Sequence, residues 1–229
     1  MVAYADTNGP LTSTGFARMV VPGDAAGGRY VSNLVSLQVG QAPVTTSSGG
    51  GLSTQFTLAG VKNPGTYNLA TLENLPSTML TATYTAMGTP VTDTYTGVSL
   101  WTLLIDAGLI TDSTIKNDVL RQYVEAIGSD GYAAIFSLGE IDPAFGGSAT
   151  LPDLVAYGDT NGQLGMDGPD GFARMVVPGD AAGGRYVSNL VGLEVFTVAA
   201  VPEPASIPLF VTSLIALAFL RARTRPRNG

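Results

Sequence analysis

The chain has 229 residues, 11 basic against 18 acidic, a formal net charge of −7, and neither cysteine nor histidine. Without cysteine it offers no disulfide framework, zinc knuckle, iron–sulfur site or thiolate nucleophile, and without histidine it lacks the usual base of a catalytic triad. Residues 1–200 carry seven basic and 17 acidic groups, so there is no basic face to neutralise phosphates and no nucleic-acid partner is expected.

Hydrophobic residues make up 45% of the chain and charged ones 13%, with 29 glycines and 14 prolines. That is the balance of a β-rich, turn-rich globular protein. At the start, "VAYADTNG" (2–9) and "FARMVV" (16–21) read as strands around a polar, glycine-bearing turn. A "PGDAAGG" loop (22–28) and a final strand, "YVSNLVSLQV" (30–39), follow. Residues 40–51, "GQAPVTTSSGGG", have the composition of a flexible linker.

A fuller domain begins at Ser53. "STQFTLAG" reads as a strand, "LATLENLPS" as a short helix stopped by Pro76, and "TMLTATYTAMG" as a second strand in which Thr alternates with larger side chains. "TYTGVSLWTLLIDAGLI" places Leu100, Trp101, Leu103, Leu104, Ile105, Leu109 and Ile110 at helical spacing. It predicts a helix on the core with Gly108 near its end. "LRQYVEAIGSDGYAAIFSL" reads as two strands around a "GSDG" turn, and Ser137-x-x-Glu140 as a capping box. The opening pattern then returns. "VAYGDTNG" spans 155–162, "GFARMVVPGDAAGGRYVSNLV" spans 171–191 and matches 15–35 at every position, and "GLEV" (192–195) parallels "SLQV" (36–39). Three extra residues enter the second copy at "QLGMDGPDG", a hairpin tip where Asp167 and Asp170 are expected in solvent.

The second copy is therefore the closing part of a domain over 53–196. Residues 1–39 read as the C-terminal fragment of an upstream duplicate, joined through a 40–52 linker, with a shortened start as the expected reason. Residues 204–220 are uncharged and an arginine cluster follows, which reads as one transmembrane helix with its basic end in the cytoplasm.

"VPEPAS", the apolar stretch and the arginine-rich end, in that order, resemble the PEP-CTERM sorting signal of Gram-negative bacteria. The resemblance implies recognition of Pro202, Glu203 and Pro204 by an exosortase in the inner membrane, with Arg221, Arg223 and Arg225 as the stop-transfer group. The protein would then be exported, an inner-membrane precursor first and a cell-surface or matrix protein afterwards. "MVAYADTNGP" lacks the signal peptide such proteins carry, in agreement with a missing start.

"YTGVSLWTLLIDAG", "IGSDGYAAIFSLGEIDPAFGG" and "ARMVVPGDAAGGRYVSNLVGLEV" resemble, in order and spacing, the oxidoreductase molybdopterin-binding domain. That resemblance implies an α+β, β-rich sulfite-oxidase-like fold, with molybdopterin as the cofactor to consider. Catalytic relatives bind molybdenum through a cysteine thiolate, which this chain lacks. No catalytic residue and no metal site is expected, and two classes stay open: a non-catalytic surface module, or an exported oxidoreductase or pterin-binding protein. The expected pterin or anion pocket is Asp180, Gly183, Gly184, Arg185 and Asn189 of "PGDAAGGRYVSN", with Asp130 and Tyr132 of "GSDGY" beside it. The alternative is a tight loop with Gly183 and Gly184 at positive φ and Arg185 paired with Asp180. Trp101 reads as core, and Glu140 with Asp142 as a helix start.

Overall fold

The computed structural model describes residues 1–12, 15–42, 50–165 and 170–198. The Pro202–Glu203–Pro204 element, the apolar stretch and Arg221, Arg223 and Arg225 lie outside these residues, as does Asp167. Among the described residues, no helix is long and apolar enough to cross a membrane. The first copy forms two short antiparallel ladders, β1 (Val2–Ala3) with β4 (Arg18–Met19) and β2 (Ala5–Asp6) with β3 (Gly9–Pro10). The domain then supplies β5 (Gln55–Ala59), β6 (Gly65–Asn68), α1 (Leu69–Glu73), β7 (Thr78–Ala86), β8 (Thr89–Ser99) and α2 (Leu100–Asp106). It continues with β9 (Gln122–Gly128), β10 (Ala133–Ser137), α3 (Leu138–Ile141), β11 (Leu154–Asp159), β12 (Gly162–Gln163), β13 (Arg174–Val176) and β14 (Leu190–Thr197). The fold is β-rich with few, short helices.

Two five-stranded sheets carry it. One runs β10-β9-β14-β5-β6; the other runs β12-β11-β8-β7, with β13 paired to β11. Alternation makes each sheet two-sided. On β7, Leu80, Ala82 and Tyr84 point inward. Thr81 and Thr83 face out, hydroxyl to hydroxyl with Thr94 at 2.8 Å and Thr92 at 2.9 Å. Inward side chains of both sheets, among them Phe56, Leu58, Tyr84, Val124, Phe136, Val155, Met175 and Leu193, join in one hydrophobic cluster. β14 sits at the centre of its sheet, parallel to β5 and antiparallel to β9. The second copy thus closes the domain by filling a central position.

Four expectations are corrected. The helix expected within "TYTGVSLWTLLIDAGLI" takes up only Leu100–Asp106 of that stretch, because "TPVTDTYTGVS" has the β-branched, period-two character of a strand and pairs on both edges, with β7 and β11. α2 is capped by the Ser99 side chain at its start and by Ala107 at its end, and leaves Ile110 exposed. Gly108 follows at φ +79, as its place near the helix end requires. The capping box at Ser137 is half formed: its hydroxyl accepts from the Gly139 N–H at 3.2 Å, but Glu140 turns away to an arginine. Asp170 is only partly exposed rather than free in solvent; it accepts from Arg174 Nη1 at 2.9 Å and from the Ser188 hydroxyl at 2.6 Å. Finally, Gly183 and Gly184 do not take positive φ; they form a 3-10 turn with Arg185, and the left-handed residue of that loop is Gly179, at φ +97. Trp101 is half-buried against the core, in line with its reading.

The two copies share their internal fold. Met19 N–H donates to Val31 O at 2.9 Å, as Met175 does to Val187; Leu34 donates to Ala17 at 3.1 Å, as Leu190 does to Ala173 at 3.0 Å. Asn33 and Asn189 both stand in the left-handed region, at φ 53 and 51. They part where an outside partner is needed: "YVSNLVGLEV" enters a sheet as β14, while residues 31–40 join no ladder.

Candidate functional site

The loop after β13 is stitched to the end of β7, with Thr85 N–H donating to Ala181 O at 3.0 Å. A Cβ on Gly183 would stand 3.0 Å from the Tyr84 ring, so the turn needs glycine there for close approach. The 3-10 turn swings Arg185 back onto its own loop. Its Nε and Nη2 donate to the two Asp180 carboxylate oxygens at 2.9 and 2.7 Å, a bidentate pair, and Nη1 donates to Glu140 Oε1. The guanidinium also lies over the Phe136 ring, 5.3 Å from its centroid. These carboxylates, the Asp180 hydrogen bonds foremost, raise the Arg185 pKa above its usual value.

Beside this pair is a cleft of about 220 Å³ lined by Glu140, Gly146, Gly147, Ser148, Asp153 and Arg185 among others. Burial pushes the Asp153 carboxyl up to about 7; the nearby Arg185 opposes the shift, while Glu140 and Asp180 add to it. Two carboxylates thus hold the guanidinium, and the Asp153 carboxyl lies within its electrostatic reach. With its donors turned on Asp180 and Glu140, the arrangement favours a hydrogen-bond donor or a cation over an anion. Among the described residues, no group of three or more carboxylates is placed to hold a metal ion. Arg29 of the first copy approaches the same segment from its own Asp24 pair: a Cβ on Gly146 would meet its Nη2 at 2.1 Å.

The other expected residues lie on a separate cleft of about 290 Å³, lined by Asp130, Tyr132, Asn189 and Ser188 among others. The Tyr132 hydroxyl donates to the Gly184 carbonyl, and Asp130 Oδ1 accepts from the Tyr132 N–H at 2.9 Å. Asn189 Oδ1 accepts from the Ser53 N–H at 3.1 Å, and its backbone joins Ser129 and Asp170. The seven residues therefore divide. Asp180 and Arg185 belong to the acidic cleft; Asp130, Tyr132 and Asn189 belong to the second; Gly183 and Gly184 form the turn between. Glu140 and Asp153 were missed as site residues. Glu140 was absorbed into a capping motif, and a lone Asp before a strand carries no local signal of its distant partners.

Among solved structures, the chain is similar to the sulfane dehydrogenase SoxCD from Paracoccus pantotrophus, with a TM-score of 0.49 and 20% identity over 62% of this chain. It spans 38% of that protein's chain. No family model and no curated protein matches the chain.

Proposed function

We propose that the chain is an exported surface or extracellular-matrix protein, sorted by an exosortase through residues 201–229, whose sulfite-oxidase-like domain is a non-catalytic module. Its export rests on the ordered "VPEPAS", apolar and arginine-rich segments of the sequence. The reading of the domain rests on one observation: the guanidinium of the "PGDAAGGR" loop is held by Asp180 and Glu140. A molybdenum–pterin group does not fit these residues. The chain contains no thiolate for the metal, and an anionic pterin side chain would meet the Asp180 and Glu140 carboxylates that already occupy the arginine.

Metal and pterin analysis of the exported, folded protein tests this reading. A protein free of molybdenum, which takes up none when offered the cofactor, is the expected outcome. About one equivalent of molybdenum, with a fluorescent pterin on oxidation, would instead establish the alternative of an exported, pterin-dependent oxidoreductase.

A further inference from the structure

The first copy carries an apolar face that the rest of its own unit leaves uncovered. Tyr4 and Phe16 are each 77% exposed, and Leu37 and Val39 are 62% and 97% exposed. Their counterparts Tyr157, Phe172, Leu193 and Val195 are 9% exposed or less. The second copy shows what covers such a face. Phe172 stacks on Phe56 at 6.0 Å, Tyr186 on Tyr84 at 4.0 Å, β11 pairs with β8, and β14 lies between β9 and β5. Among the described residues, β5 to β10 are the one such surface for two closing segments. We infer that either copy can close it: residues 1–39 are an alternative closing segment for the chain's own β5–β10, exchanging with residues 154–197.

Three observations carry this. First, the first copy is already folded in the docked form, with the same backbone bonds and the same Asp–Arg pair as its counterpart. Every side chain over 15–35 is the one the slot receives from 171–191. Second, the connection is long enough. Val39 in the place of Val195 would lie beside Gly60, whose Cβ would touch Val195 O at 2.0 Å. The chain must then return to Ser53 along β5, about 23 Å at 3.3 Å per residue. The 13 residues 40–52 reach about 43 Å extended, and they meet the dozen or so that a crossover between parallel strands needs.

Third, the substitutions in the final strand are compatible with the slot. Glu194 lies directly opposite the buried Glu125, an arrangement that like charges disfavour, and the first copy places Gln38 there. Ser36 replaces Gly192, where a Cβ would meet only the Ile127 side chain, closest at its terminal methyl at 3.3 Å. Against these, Phe196 stacks on Tyr123 at 5.2 Å and the first copy offers Gly40 instead, which favours the second copy as the resident.

The absence of native thiols makes the test direct. Val124 and Val195 are cross-strand partners, so Val124→Cys with Val195→Cys reports the resident form, and Val124→Cys with Val39→Cys reports the exchanged one. In the full chain, the 39–124 disulfide is expected as a minor intramolecular product. It becomes the main product when Ala173→Asp buries a charge in the second copy, with amide protection of β9 retained. Adding Ala17→Asp should abolish both disulfide and protection. Failure of the 39–124 disulfide in both backgrounds, while 124–195 forms normally, overturns the inference. So does a 39–124 disulfide found only at the mass of a dimer.

Discussion

At the scale of single residues, the acidic cleft is governed by where one guanidinium points. Arg185 spreads its donors over Asp180 and Glu140, and its loss would leave both of those carboxylates without their guanidinium. Arg185→Ala is expected to cost about 1–2 kcal/mol, since hydrogen bonds to charged groups are worth more than neutral ones but these side chains are partly solvated. Urea unfolding measures it. Asp153 makes the stability of the fold depend on pH. Folding raises its pKa from the ordinary carboxylate value to about 7, so the folded chain holds the proton more tightly than the unfolded one. Its contribution to stability is therefore fully present below about pH 4 and lost as pH rises through about 7. Asp153→Asn should remove that slope, with a gain over the parent that grows between those limits and is constant above them; denaturant midpoints across the range check this. The Asp180–Arg185 pair was legible because only four residues of a glycine-bearing loop lie between the two. Glu140 and Asp153 were not, because 45 and 32 positions of chain separate them from Arg185.

At the scale of elements, identical segments make the comparison unusually clean. "GFAR" occurs in both copies, yet Phe172 is buried against Phe56 while Phe16 is exposed. Phe172→Ala should cost about 3 kcal/mol or more, and Phe16→Ala should leave the unfolding midpoint of the resident form unchanged. Equal effects of the two would show that the first copy is docked on an apolar surface in solution. The strands and turns around "GSDG" and "TMLTATYTAMG" were readable from alternation and turn residues. The boundary between β8 and α2 was not. "TYTGVSLWTLLIDAG" supports both periods across residues 94–99, and the choice was made by β7 and β11, which pair with that stretch from either side. Glycine at 97 is part of the same decision: its Cβ would stand 2.3 Å from the Val155 carbonyl, so β11 can approach only a bare backbone. Gly97→Val should accordingly unfold the domain at ambient temperature, as far-UV circular dichroism would record.

At the scale of the whole molecule, two units divide the chain, residues 1–198 and 199–229. The proposed sorting signal falls in the second. In a host with an exosortase, Glu203→Ala is expected to leave full-length precursor in the inner membrane, read by fractionation and blotting; normal processing of that variant would remove the basis for a surface role. Composition and local pattern were enough to show that the chain has no thiol or imidazole chemistry, that residues 15–35 recur at 171–191, and that alternation builds its strands. These are properties of composition and of local period, which do not depend on what lies across the fold. Only tertiary contacts settled which copy's final segment becomes a strand, where Arg185 points its donors, and which Asp pKa burial raises. Each of these depends on a partner far along the chain: backbone groups need a neighbouring strand before they form a ladder, and a carboxyl shifts only once its surroundings have displaced water.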